Sequence, residues 1–224
     1  MGVRIAAAAV IAICTAQAAG AGGIEITPTF YDWTGVYLGA HVGYGSGTIK
    51  DTVNSTTTST SISTSQDFSG AIAGGHVGAN FQYRSIVFGV EADGDWSGQE
   101  GSGTGTLFTA SVPWLGTARM RIGFAHDRFM YYATGGGAYV RFKSTDLNGI
   151  ESTSTRTAWV AGVGQESVLA RNLILRFEAL YVQLLDNENT VTGVTPVLPA
   201  NTTRTVYDVV GRVGLSYKFD WSGN

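Results

Sequence analysis

Three histidines are the first residues to test for chemistry, because a neutral imidazole can hold a metal or pass a proton near neutral pH. His41 and His76 fall on the same phase of two neighbouring segments, and His126 falls in a short polar turn. A metal centre needs further ligands at fixed spacing, and a hydrolase needs a serine oriented by a base. Neither pattern accompanies these histidines. Gly135-Gly136-Gly137 is followed by no Lys-Ser/Thr and no helix, so it reads as relief of crowding on a strand wall and not as a phosphate loop. The single cysteine, Cys14, lies in an apolar N-terminal run, which leaves the rest of the chain without thiol chemistry. No catalytic residue, metal ligand or cofactor site is assigned, and the chain is not read as an enzyme.

Charge does carry a pattern. The acids Glu91, Asp93, Asp95, Glu166, Glu178 and Asp208 and the bases Arg119, Arg121, Arg141, Lys143, Arg176, Arg212 and Lys218 fall at even spacings within their segments, on the phase opposite the apolar one. Spacing by two puts such side chains on one face of a strand and the apolar residues on the other. Adjacent strands bring opposite signs together: Glu91 and Asp93 beside Arg119 and Arg121, Glu166 beside Arg176, Glu178 beside Arg212. Cross-strand ion pairs follow. Buried charge is tolerable when paired and hydrogen-bonded, so Glu91, Asp93, Arg119, Arg121, Glu166, Arg176, Glu178, Asp208 and Arg212 read as a polar plug.

The elements that must position this cluster are eight alternating segments, at 33–44, 68–83, 87–96, 112–124, 129–143, 157–168, 173–184 and 206–221. In the last, Tyr207, Val209, Val213, Leu215, Tyr217, Phe219 and Trp221 alternate with Asp208, Arg212, Ser216 and Lys218, over more residues than an ordinary globular strand. In the fifth, Val140 and Phe142 against Arg141 and Lys143 set the phase, which leaves no Lys, Arg, Asp or Glu of the segments facing lipid. A soluble barrel would turn the apolar phase inward and the charges out. With the polar phase inward, the chain is all-β: an eight-stranded antiparallel transmembrane up-and-down β-barrel. Trp33, Trp96, Trp114, Trp159, Tyr217, Phe219 and Trp221 lie at or near strand ends and read as interfacial aromatics.

Connections alternate in length. Short ones fall at 84–86, 125–128 and 169–172, and long ones, rich in Ser, Thr, Gly and Asn, at 45–67, 97–111, 144–156 and 185–204. Short turns on one side and long loops on the other describe a barrel of the Gram-negative outer membrane with both termini in the periplasm. The low-complexity stretch 51–66, DTVNSTTTSTSISTSQ, is expected to be a mobile loop. Arg4, the apolar run Ile5–Cys14 and the small-x-small site Ala16-Gln17-Ala18 make residues 1–18 a cleaved signal peptide, followed by a periplasmic segment 19–32 and the barrel at 33–221. A net charge of −3 offers no basic patch, which argues against nucleic acid as a partner.

The stretches WTGVYLGAHVGYG at 33–45, GVEAD at 89–93, LGTARMRIGFAHDRFMYYATGGGAYV at 115–140 and LRFEALYVQL at 175–184 resemble the small outer-membrane barrels of alphaproteobacteria, often called outer-membrane immunogenic or porin-family proteins. Their architecture is similar to that of the OmpA membrane domain. The resemblance implies exposed loops, sometimes porin-like behaviour, and no catalytic residue. Implied partners are outer-membrane lipid and lipopolysaccharide, the barrel-assembly machinery through the C-terminal strand, and a surface or host partner through the long loops. Family chains end on an aromatic residue, usually Phe, whereas here Phe219 is followed by DWSGN. Three roles fit: a structural, surface-presenting barrel with a plugged lumen, a narrow passive channel, and a loop-mediated adhesin. An eight-stranded barrel has an interior that side chains can fill, which favours the first.

Overall fold

A computed structural model describes residues 31–55, 61–102, 109–145, 151–185 and 200–219. Alternation of apolar and polar residues builds eight antiparallel strands: β1 (Gly35–Ser55), β2 (Ser61–Tyr83), β3 (Ile86–Ser102), β4 (Thr109–His126), β5 (Phe129–Thr145), β6 (Glu151–Ala170), β7 (Leu173–Leu184) and β8 (Ala200–Phe219). Each pairs with its sequence neighbours and β8 pairs with β1, so the sheet closes with no free edge along the paired length. Starting at Val36, one ladder runs through Ala79, Val90, Met120, Gly135, Ala161, Tyr181 and Val209 and returns to β1 at Ser46, a stagger of ten residues. Such a stagger tilts the strands and sets a bore that side chains can fill.

The outward face is an apolar belt. Leu38, Val42, Val77, Val90, Met120, Ile122, Val163 and Leu215 are all exposed on it. Aromatics border the belt on both sides: Tyr83, Phe124, Phe129, Tyr217 and Phe219 near the short turns, and Tyr44, Trp96, Trp114, Tyr139 and Trp159 toward the long hairpins. Trp96 and Trp114 are register partners, and the Trp159, Tyr181 and Tyr207 rings follow one another at 5.4 and 6.2 Å. Between these borders no outward position of the eight strands carries a charge. Met120→Arg, at the belt's middle, is therefore expected to cost roughly 2–4 kcal/mol of stability in lipid. Urea unfolding from vesicles measures this, with Arg141→Ala beyond the belt as a control expected to change little.

Arg141 corrects the sequence reading. In β5 the inward residues are Met130, Tyr132, Thr134, Ala138 and Val140, while Tyr131, Ala133, Tyr139 and Arg141 point outward. Lys143 shares the outward phase, so neither base joins the lumen. Tyrosines occupy both phases at Tyr131-Tyr132 and the triple glycine carries no side chains, so the local alternation is ambiguous. Arg141 sits opposite Trp114, at the border where an outward charge reaches water and an inward valine meets other apolar groups.

Seven of the eight strands run past the segments read from the sequence. Asp51↔Thr64 and Asn54↔Ser61 pair in register, so much of the stretch expected to be a mobile loop continues the barrel wall. Alternation marks only the length over which the outer face meets lipid. In 51–55 and 61–66 most residues of both phases are polar, yet the Thr-rich backbone still pairs, as suits a β-branched residue. Trp221 and the tail after Phe219 lie outside the described residues, as do the signal segment and 19–30.

Candidate functional site: the lumenal charge network

Inside the barrel the side chains form three storeys. At the turn end, Tyr31 to Thr34 tuck into the mouth. Trp33 is fully buried among Val87, Ala125, Met130, Tyr132 and Ile174, with the Tyr31 ring edge-on at 5.0 Å. Its backbone N–H donates to Gln82 Oε1 at 2.7 Å. Lys218 Nζ donates to the carbonyls of Asp32 at 2.5 Å and Thr34 at 3.2 Å. Trp33 is thus a cork in the bore and not an interfacial aromatic. Proximity to a strand start could not distinguish these, because which way the preceding segment folds is decided by the cavity waiting for it.

The middle storey is ionic. Arg119 donates to Glu91 Oε1 at 2.5 Å, Asp93 Oδ2 at 2.9 Å and Glu178 Oε1 at 2.9 Å. Arg121 forks onto both oxygens of Glu166 at 2.9 and 3.0 Å and reaches Glu91 at 3.2 Å. Arg176 bonds Glu91 at 2.6 Å and Glu166 at 2.9 Å. Arg212 bonds Asp93 at 3.0 Å, Asp95 at 2.9 Å and Glu178 at 2.7 Å. Forked, charge-assisted bonds of this kind are the strong ones, and Glu91, Asp93, Glu166 and Glu178 each take donors from at least two arginines, which offsets their desolvation. The Tyr37 hydroxyl donates to Glu91 at 2.7 Å and that of Tyr132 to Glu178 at 2.8 Å. Their rings stand 4.9 and 4.7 Å from the Arg121 guanidinium, a pair of cation–π contacts.

The neighbouring-strand pairs Glu91–Arg119, Glu166–Arg176 and Glu178–Arg212 are all present. Sequence reasoning missed the contacts that span the bore: Arg119 to Glu178, Arg121 to Glu166, Arg176 to Glu91, and Arg212 to Asp93 and Asp95. It also missed Tyr37 and Tyr132 as members, whereas Asp95, read as a lumen-facing acid, does join the network. Spacing by two gives a side chain's face but not its partner across the lumen.

Asp208 is a second correction. It lies above the network, where Gln99 Nε2 donates to Oδ2 at 2.9 Å and Oδ1 has no partner among the described residues. Its surroundings are the apolar third storey, with Phe68, Val112, Leu115, Val140, Val182 and Val206. The space between them is about 20 Å³, room for about one water molecule.

His41 and His76 stack in the network's flank with ring centroids 5.4 Å apart and Nδ1 atoms 3.1 Å apart. His41 Nε2 is in short contact with Asp95, and His76 Nε2 lies 2.7 Å from Ser216 Oγ. Glycine makes the space: a Cβ on Gly39 would stand 2.4 Å from His76 Nε2, and one on Gly78 2.1 Å from the Tyr37 hydroxyl. His126 is exposed in the β4–β5 turn, 3.6 Å from Asp127. Among the described residues no group of three or more potential metal ligands is assembled.

A closed, lipid-belted barrel whose polar phase is sealed inside has a counterpart among known proteins. The family model described as outer membrane protein beta-barrel domain matches residues 5–219. The chain belongs to that family. This outer-membrane barrel is 33% identical over 197 residues to the 25 kDa outer-membrane immunogenic protein of Brucella abortus, covering 88% of this chain and 83% of that protein. With the 31 kDa outer-membrane immunogenic protein of Brucella melitensis the identity is 32% over 208 residues, covering 84% and 85%. Among solved structures, the outer membrane protease OmpT from Escherichia coli superimposes with a TM-score of 0.50 at 10% identity, covering 88% of this chain and 99% of that one, a likeness of fold alone.

Proposed function

We propose that this outer-membrane barrel is a non-conducting, non-catalytic envelope protein that presents its long hairpins at the cell surface. The observation that carries the reading is the sealed bore: four buried arginines are cross-linked to five buried carboxylates between an aromatic cork and an apolar upper storey. A solute path would have to break several charge-assisted bonds at once. The strands themselves continue past the upper aromatic border, as suits display on the outer side, with the two-residue turns and both termini toward the periplasm in this reading. The immunogenic character named for the Brucella relatives fits that display. Arg141, beyond Trp114, suits the phosphates of lipopolysaccharide, and outward Tyr217 and Phe219 suit the assembly machinery.

Planar-bilayer recording on the refolded protein tests the reading. Flat traces without discrete steps are expected at neutral pH. Steady unitary currents that shift in ion selectivity with Arg121→Ala would establish a narrow channel instead.

A further inference from the structure

Each of the three two-residue turns carries an arginine: Arg84 between β2 and β3, Arg128 between β4 and β5, and Arg171 between β6 and β7. All three are exposed, and among the described residues none of their guanidiniums is held in an ion pair or hydrogen bond. The neighbouring acid Asp127 lies against His126 at 3.6 Å. Among the described charges of this end, Arg84, Arg128, Arg171 and Lys218 face only Asp32 and Asp127, so the rim is basic. The fourth position around it is the β8–β1 seam, where buried Lys218 is already bonded to the carbonyls of Asp32 and Thr34.

The aromatic border sets the height of these arginines. Tyr83, Phe124, Phe129, Tyr217 and Phe219 mark where this end of the wall meets the membrane interface. Arg84 follows Tyr83 directly, and its guanidinium lies 5.5 Å from that outward ring, so it leans along the lipid side of the wall and not into the bore. Arg128 precedes outward Phe129, and Arg171 stands between exposed Leu169 and Leu173. A strand advances roughly 3.3 Å per residue, so groups one or two residues past the border stand at headgroup level. The backbone adds a separate sign. Arg84 holds φ at 56°, in the left-handed region where glycine costs least, and its carbonyl accepts from Gln82 Nε2 at 2.7 Å. A turn needing only that backbone would be better served by glycine, so the arginine side chain is kept against a local cost.

We infer that Arg84, Arg128 and Arg171 form a basic ring that binds the headgroup phosphates of acidic phospholipids in the leaflet on the turn side. The chemistry is matched: a guanidinium offers planar, forked donors and gives up water readily, and a phosphate offers paired oxygens. Acidic lipids are favoured over zwitterionic ones, because a zwitterion brings its own cation to the same plane and dilutes the attraction. The inference rests on the proposed placement of the turns toward the periplasm, which makes the lipid there phospholipid and not lipopolysaccharide.

Urea unfolding of the full barrel is compared between phosphatidylcholine vesicles and vesicles with about one-third phosphatidylglycerol, at low salt and again at about 1 M. A guanidinium near an anionic surface favours it about fivefold, which in one-third acidic lipid gives roughly a twofold rise in the folding constant per arginine and about tenfold for the ring. The gain on adding phosphatidylglycerol is therefore expected to be about tenfold smaller when Arg84→Gln, Arg128→Gln and Arg171→Gln are combined, and the difference is expected to vanish at high salt. Arg84→Gly, which suits the turn, should lose about twofold of the gain by itself. Equal gains in wild type and the combined variant overturn the inference. So does an arginine-dependent gain produced in neutral vesicles by inorganic phosphate at matched ionic strength, which would mean a free-anion site. A flat lipid response beside arginine-dependent sedimentation with peptidoglycan sacculi overturns it as well and assigns the ring to acidic stem peptides. Orientation is read separately: Ser85→Cys in intact cells is expected to resist a bulky, membrane-impermeant maleimide. Labelling there would sink the proposed orientation while leaving the vesicle result standing.

Discussion

Arg119→Ala is expected to destabilise the barrel by about 3–5 kcal/mol, because it strips a shared donor from Glu91, Asp93 and Glu178 and leaves them buried. The Arg119 side chain is wholly enclosed, so solvent cannot take over its role. Loss of the urea midpoint in vesicles reports the energy, and loss of heat-modifiable migration in detergent gels reports the fold. Arg119→Lys keeps the charge but replaces the planar fork by a single ammonium, which cannot hold three carboxylates in the same geometry. An intermediate loss is expected there. A loss below 1 kcal/mol for Arg119→Ala would mean that water enters the bore and that the network is not sealed.

Trp33→Ala is expected to cost roughly 3–5 kcal/mol as well, but by a different mechanism: an emptied cavity among Val87, Met130, Tyr132 and Ile174. Its Nε1 has no partner among the described residues, so Trp33→Phe should recover most of the loss. That contrast separates the cork from an interfacial anchor. An anchor would depend on the indole N–H at the membrane border, and the Phe variant would then behave like Ala. The same urea experiment reads both variants. Quenching by a water-soluble agent added at the turn end should leave the Trp33 emission untouched in the wild type.

Alternation by two made most of this barrel legible. Seven of the eight phases can be read directly, since a lipid face tolerates no charge and a strand offers only two faces. The fifth misled because Tyr131 and Tyr132 fill both phases and Gly135-Gly136-Gly137 fills neither. Alternation alone consequently puts Arg141 on the inward face, whereas it lies exposed on the outer one. Strand ends were also hidden, because Ser and Thr in 51–55 and 61–66 pair through backbone atoms that carry no sequence signature.

What the sequence by itself determined is the strand count, the closed transmembrane architecture and the sign of the face on which Glu91, Asp93, Arg119, Arg121, Glu166, Arg176, Glu178 and Arg212 lie. These depend on local periodicity, which the chain displays residue by residue. Only the tertiary structure decided who meets whom across the bore, that Trp33 turns in as a cork, that Asp208 stands apart beside Gln99, and that His41 meets Asp95. Those outcomes depend on a ten-residue stagger and a closed radius, which bring together residues as distant in the chain as His41 and Arg212.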